Sequence, residues 1–116
     1  LEVSRVISTI EDYTEHLSGE KASVIASALH PTFYATGFDR AGKQQPPMNP
    51  EAFLQWVEAQ AGSYRANVRI QEVIVEGQHA QVKLTSGPKT APRTEQLTLQ
   101  KDGDGWKIVT YFYRYG

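Results

Sequence analysis

The sequence contains no cysteine. That excludes disulfides, thiolate metal sites and a cysteine nucleophile, but leaves the redox compartment open, because many exported proteins also lack the residue. No run of about 18 apolar residues is present to span a membrane as a helix, and the first residues lack the apolar core of a secretion signal. The chain begins with Leu1 rather than Met. Cytoplasmic residence is therefore the default expectation, with a removed leader left open. Excess charge is missing as well: 12 Lys and Arg stand against 13 Asp and Glu, a net charge of -1. Such a chain has no general field to gather nucleic acid or anionic lipid, so neither is expected as a partner. Histidine is scarce, and His16, His30 and His79 have no ligand-like spacing. No metal and no cofactor are expected.

What is present fits one globular domain. At 116 residues, 40% hydrophobic and 22% charged, the chain can bury one core but not comfortably two. Residues 1–116 are therefore read as a single domain. Val3, Val6, Ile7, Ile10, Tyr13 and Leu17 recur at helical spacing and predict an amphipathic helix from about Val3 to Leu17, stopped by Ser18-Gly19. A shorter helix with Val24, Ile25, Ala28 and Leu29 on one side should end near His30, because Pro31 disfavours helical geometry in the residue before it. The run from Thr32 to Phe38 has the aromatic and β-branched content of a strand. Asp39 to Met48 reads as a loop, and Asn49-Pro50-Glu51 as the cap and first turn of a third helix reaching about Ala61. On that helix Phe53, Trp56, Val57 and Gln60 share one side.

From Val68 onward the pattern is continuous strand: Val68 to Glu76, His79 to Thr85, Arg93 to Lys101 and Trp106 to Tyr115. Short turns at Gly77-Gln78 and Asp102 to Gly105, and a longer one from Ser86 to Pro92, favour antiparallel neighbours. Helices followed by a meander define an α+β chain. In the last strand apolar residues fall on both faces, with Trp106, Ile108 and Phe112 on one and Val109, Tyr111, Tyr113 and Tyr115 on the other. Two apolar faces call for two burial partners, the core and a second subunit.

The order of elements, with Tyr13, Gly19, Leu29-His30-Pro31, Gly77, Ala80 and Gly105-Trp106-Lys107-Ile108-Val109 at their places in it, resembles the nuclear transport factor 2-like superfamily. Within it the chain is most similar to the lumazine-binding branch, beside the SnoaL-like cyclases and ketosteroid isomerases. The resemblance covers Val6 to Tyr113. It implies a cone-shaped, cystatin-like fold in which N-terminal helices pack in a strongly curved, mostly antiparallel sheet. It also implies an internal pocket and a homodimer formed through the sheet. Superfamily members include enzymes and non-catalytic modules, so function must come from the pocket residues.

Three residues are candidates for chemistry. Tyr13 lies on the buried stripe of the first helix and matches the tyrosine that donates to a substrate oxyanion in the isomerases; the other reading is a core tyrosine bonded to a backbone carbonyl. Glu95 shares a strand face with Leu97 and Leu99 and matches the acidic residue of the same oxyanion hole, a device that keeps a carboxylic acid protonated so that it can donate. Its longer arm could also bend to solvent. The isomerases' general base is an Asp at the end of the first strand, where this chain reads Ala35-Thr36-Gly37-Phe38. Asp39 is close in sequence, but a shift of one residue changes the face it occupies.

The cavity is expected to be bordered by Tyr13, Tyr34, Trp56, Glu95 and Tyr111. Glu72 is a further ligand-binding candidate because it shares its face with Val68, Ile70 and Ile74, although Val73 and Val75 are apolar on the other face and a bulge could reverse the phase. The preferred function is non-catalytic binding of a small organic molecule, planar and heteroaromatic in class. The alternatives are a cofactor-independent isomerase, dehydratase or cyclase using Tyr13, Glu95 and Asp39 or Glu72, and a protein-interaction domain whose working surface is the sheet.

Overall fold

The computed structural model describes residues 2–15, 26–59, 68–103 and 105–115, apart from the side chains of residues 12–15 and 58. Helix α1 (Glu2–Glu15) is followed by β1 (Leu29–Gly37), α2 (Pro50–Ala59), β2 (Arg69–Glu76), β3 (His79–Ser86), β4 (Arg93–Asp102) and β5 (Gly105–Tyr115). The five strands form one curved sheet in the order β1-β5-β4-β3-β2. Antiparallel pairing runs from β2 to β5, and β1 joins the far edge parallel to β5. The molecule is α+β, as expected. The expected stop at Ser18-Gly19, Val24 and Ile25 of the second helix, and the end of the third helix near Ala61 lie outside the described residues.

The local signals explain most of the elements. Asn49 caps α2: its Oδ1 accepts the Ala52 N–H at 2.8 Å, and its carbonyl accepts the Phe53 N–H at 2.9 Å. Pro50 occupies the first helical position, where a missing N–H costs nothing. Between β2 and β3, Glu76 pairs with His79 across a two-residue turn in which Gly77 takes a φ of 61°. This left-handed geometry favours glycine and matches the twist of a hairpin.

Two boundaries differ from expectation. The first strand begins at Leu29 rather than Thr32, so His30 and Pro31 are strand residues and the preceding helical segment ends at Ala28. Pro31 is tolerated because β1 is an edge strand and its pairing slips between Leu29 and Tyr34, the two settings in which a strand accepts a residue without an N–H. The loop after β1 turns back on the strand, so that Ala35 and Met48 exchange both backbone hydrogen bonds, at 2.9 and 2.8 Å.

The largest correction concerns β5. Leu99 pairs with Ile108 and Thr98 with Thr110, which leaves Val109 as an extra residue. This bulge reverses the side-chain phase within the strand. Trp106 and Ile108 before it, and Tyr111 and Tyr113 after it, are therefore all buried together. Trp106, Tyr111 and Tyr113, assigned to two faces, share one, while Phe112 takes the opposite phase beside Gln96 and Thr36; the strand's sequence pattern alone no longer calls for a second subunit. A second bulge at Gln71 acts likewise on β2: Val73 and Val75 pair with the buried Val82 and Ala80, while Glu72 and Ile74 pair with the exposed Lys83 and Gln81.

The core lies on the inner face of the sheet. Val6 and Ile10 of α1 and Phe53 and Val57 of α2 join Val82, Leu84, Leu97, Leu99 and Ile108 there. Val3, expected on the buried stripe, is 47% exposed. The start of α1 is held by its side chains: Glu2 accepts the Trp106 Nε1–H at 3.1 Å and meets the Lys101 ammonium at 3.2 Å. The Lys101 hydrogen bond, with that cation's charge, the bond from Trp106 and the charge of Arg5, outweighs desolvation and holds the Glu2 carboxyl below its usual range. A group whose folded pKa is depressed contributes stability above its unfolded pKa and loses it as the pH falls through the folded value. Glu2→Gln should therefore melt below the parent protein at about pH 7, with the gap closing towards about pH 2.5. Thermal unfolding monitored by circular dichroism at both values checks this.

Candidate functional site

The inner face of the sheet changes character at one end. Along β3 the buried series Ala80, Val82 and Leu84 continues into Ser86, and along β4 Leu99 and Leu97 give way to Glu95 and Arg93. Period-two alternation thus delivers a hydroxyl, a carboxylate and a guanidinium to the place where the core would otherwise continue. Tyr111 of β5 completes the group. Glu95 is 1% exposed and Arg93 3%.

Three partners among the described residues surround the Glu95 carboxylate, and each donates or is cationic. Ser86 Oγ donates to Oε2 at 2.7 Å, the Tyr111 hydroxyl donates to Oε1, and Arg93 Nη2 lies 3.6 Å from Oε1. The last distance is too long for a hydrogen bond but close enough for charge compensation. Arg93 also sets its guanidinium carbon 5.1 Å from the centre of the Trp56 ring, a cation–π contact. Three strands and α2 are thereby connected through one buried charge pair.

Aromatic rings surround this group. Phe53 stands 5.1 Å from Tyr111 and 4.9 Å from Phe33, and Trp56 stands 4.7 Å from Tyr113. Beyond them an open groove of about 460 Å³ is lined by Asp39, Arg40, Ala41, Gln45, Trp56, Tyr113 and Tyr115. Its floor depends on glycine. A Cβ on Gly37 would lie 2.2 Å from Tyr113 Cε1, so only a residue without a side chain lets that ring lie flat on β1. Burial, reinforced by the neighbouring Tyr115, pushes the Tyr113 hydroxyl above its ordinary pKa. Tyr113 is thus a neutral ring with a donor at neutral pH.

The candidates read from sequence separate into groups. Glu95, Tyr111 and Trp56 come together at the inner end of the sheet. Asp39 reaches the groove rim, but its carboxylate organises the loop: Oδ1 accepts the N–H groups of Ala41 and Lys43, each at 2.9 Å, and Oδ2 accepts Gln45 Nε2 at 3.1 Å. Tyr34 is 50% exposed and pairs with Thr110 on the outer face, away from the buried rings. Glu72 is likewise exposed on the outer face, opposite Lys83. The Tyr13 backbone lies in α1, and its side chain and His16 are outside the described residues. Ser86 and Arg93 went unrecognised, although both keep the phase of the leucines on their own strands. Tyr113 and Tyr115 were missed because the bulge that aims them is invisible to alternation. Among the described residues no group of three metal-binding side chains occurs.

Residues 2–114 match the family described as "Putative lumazine-binding". No curated protein matches the chain. Among solved structures it is similar to an NTF2-like protein of unknown function from Silicibacter pomeroyi, at 18% identity and a TM-score of 0.84, covering 99% of this chain and 96% of that one. A second NTF2-like protein of unknown function, from Methylobacillus flagellatus, gives 15% identity and a TM-score of 0.82, covering 99% and 92%. A ketosteroid isomerase-like protein from Erwinia carotovora atroseptica gives 14% identity and a TM-score of 0.73, covering 98% and 95%. At such identities the structural likeness shows the fold alone.

Two substitutions test the site. Glu95→Gln removes the charge that compensates buried Arg93 and should destabilise the protein by about 3–5 kcal/mol, the usual cost of breaking a buried pair. Adding Arg93→Met should recover part of that loss, a coupling that urea midpoints of the two single variants and the double variant will read. Gly37→Ala should cost about 1–3 kcal/mol by forcing Tyr113 off β1. Near-ultraviolet circular dichroism should register the displaced ring.

Proposed function

The chain belongs to the putative lumazine-binding family of nuclear transport factor 2-like domains, and from that premise we propose that it binds a small planar organic molecule without transforming it. The observation that carries this reading is the groove in which Trp56, Tyr113 and Tyr115 present ring surface beside the polar side chains of Arg40 and Gln45. Small-molecule sites characteristically combine apolar walls with a few fixed polar groups. Offset stacking on these rings suits a flat heteroaromatic ligand.

The same geometry speaks against proton-abstraction chemistry. In the isomerase device a protonated acid donates to the developing oxyanion. Glu95 instead accepts from Ser86 and Tyr111 and faces Arg93, so its oxygens are turned to partners within the fold. Of the two candidates for the base, Asp39 is engaged by three donors of its own loop, and Glu72 lies exposed on the outer face opposite Lys83. A general base needs an open lone pair within reach of substrate.

Pairing of two copies is the accompanying proposal. On the outer face, register aligns Tyr34, Thr110, Thr98, Gln81 and Ile74 into one cross-strand row without a charged residue. Tyr34 and Ile74, at its two ends, are exposed. An uncharged row with apolar ends can meet its own copy about a two-fold axis without like-charge repulsion.

Native mass spectrometry of the protein purified from its own host tests both statements. The expected result is a dimer carrying the mass of a small aromatic compound that Trp56→Ala no longer retains. A protein that leaves its host empty and shows no Trp56-dependent fluorescence change with any planar compound would overturn the binding proposal. A monomer at micromolar concentration would overturn the pairing.

A further inference from the structure

We propose that the groove recognises a lactam edge, a ring N–H beside a ring carbonyl, with the Gln45 amide oxygen accepting the N–H and the Tyr113 hydroxyl donating to the carbonyl. This rests on the groove being the binding site and adds the functional group that it reads.

The charged residues of the lining are committed within the fold. Asp39 accepts Ala41 N–H, Lys43 N–H and the Gln45 side-chain amide, and Arg40, stacked on Tyr115, has a further interaction. Recognition therefore falls to neutral groups. Gln45 Nε2 donates to Asp39 Oδ2 at 3.1 Å and to the Lys43 carbonyl at 3.2 Å. Both amide hydrogens are thereby used, and because both neighbours are acceptors, a reversed amide would set oxygen against oxygen. The orientation of the group is fixed. Among the described residues no donor reaches its Oε1. An amide oxygen only accepts, so the ligand has to bring the donor.

Gly37 brings a second group beside the first. Its carbonyl accepts the Gln45 N–H at 2.8 Å, and it pairs with Tyr113 across β1 and β5. A Cβ on Gly37 would lie 2.5 Å from Cζ of Tyr113, the carbon that bears the hydroxyl. Amide and phenol are thus anchored to the same strand residue, which holds them in place before any ligand arrives. The Tyr113 ring is buried, but its hydroxyl, which meets no partner among the described residues, is not sealed from the groove that the ring lines. A phenol is protonated at neutral pH and donates. A fixed acceptor beside a fixed donor is the complement of a ligand edge that sets a donor beside an acceptor, and in a flat ring that edge is a lactam. A ligand without it would cover both protein groups and leave them unpaired, which is how a polar site rejects an apolar isostere. The Trp56 ring, 4.7 Å from Tyr113, supplies the stacking surface.

Three bicyclic probes separate ring from edge in equilibrium dialysis: carbostyril, which carries the lactam; N-methylcarbostyril, whose nitrogen has no hydrogen; and naphthalene, which has no polar edge. The parent protein should bind carbostyril roughly fivefold to tenfold more tightly than its N-methyl derivative. Gln45→Met should abolish that preference. Tyr113→Phe, which keeps the ring on Gly37, should weaken both carbostyrils by roughly threefold to tenfold and leave naphthalene within about twofold of the parent. Trp56→Phe should weaken all three. Equal binding of the two carbostyrils to the parent protein would overturn the inference without any variant, as would a preference that survives Gln45→Met or carbostyril binding that ignores Tyr113→Phe. If Trp56→Phe still weakened naphthalene, such a failure would leave the groove reading intact. Probes indifferent to Trp56→Phe would overturn the groove reading and this inference with it.

Discussion

Strand β5 carries one residue more than β4 between Ile108 and Thr110, and this bulge decides what the end of the chain can do. Before it, Trp106 and Ile108 belong to an ordinary hydrophobic core. Were Val109 an ordinary alternating position and not a bulge, Tyr111 and Tyr113 would turn to the outer face. With it, Tyr111 reaches Glu95, and Tyr113 lies across Gly37 and beside Trp56. The groove floor is a product of that single backbone irregularity. Bulges commonly re-aim side chains beside functional sites, and here the re-aimed side chains form the site.

Given the bulge, the buried charge pair becomes tolerable. Moving a carboxylate and a guanidinium out of water is expensive, and their mutual attraction offsets it only where further hydrogen bonds complete the shell. Ser86 comes from β3, Tyr111 from β5, and both charges from β4. The arrangement is stable only if these strands keep their register, so its contribution is to specify one sheet geometry more than to add stability. It also gives the inward-facing Glu95 its partners, two hydroxyl donors and a guanidinium.

Much of this was legible in the sequence because alternation and turn chemistry are local. The four strands of the meander, the Asn49 cap and the inward phase of Glu95 all follow from residues a few positions apart. The two bulges did not, since an extra residue leaves a two-sided apolar strand that reads equally as a core strand with a second interface. Gln71 did the same to β2, where Glu72 kept the phase of Val68 on paper and lost it in the sheet. Pro31 obscured the start of β1, because its effect on the preceding residue argues equally for the end of a helix and for a strand edge. Arg93 was missed for another reason: a cation followed by alternating residues looks solvated unless its carboxylate partner is known to be buried.

Two of the three acidic candidates, Glu95 and Asp39, show how charge is distributed around the groove. Glu95 is neutralised in the interior by Arg93, and Asp39 at the rim by the donors of its own turn. Neither arrangement was built for a ligand; each satisfies the requirement that a carboxylate withdrawn from water find donors. The buried pair and the rim carboxylate thus have their counterparts within the fold: Arg93, stacked at Trp56, meets Glu95, and Asp39 meets the donors of its turn. A chain with a net charge of -1 in this way keeps its charges matched locally beside a surface made of aromatic rings.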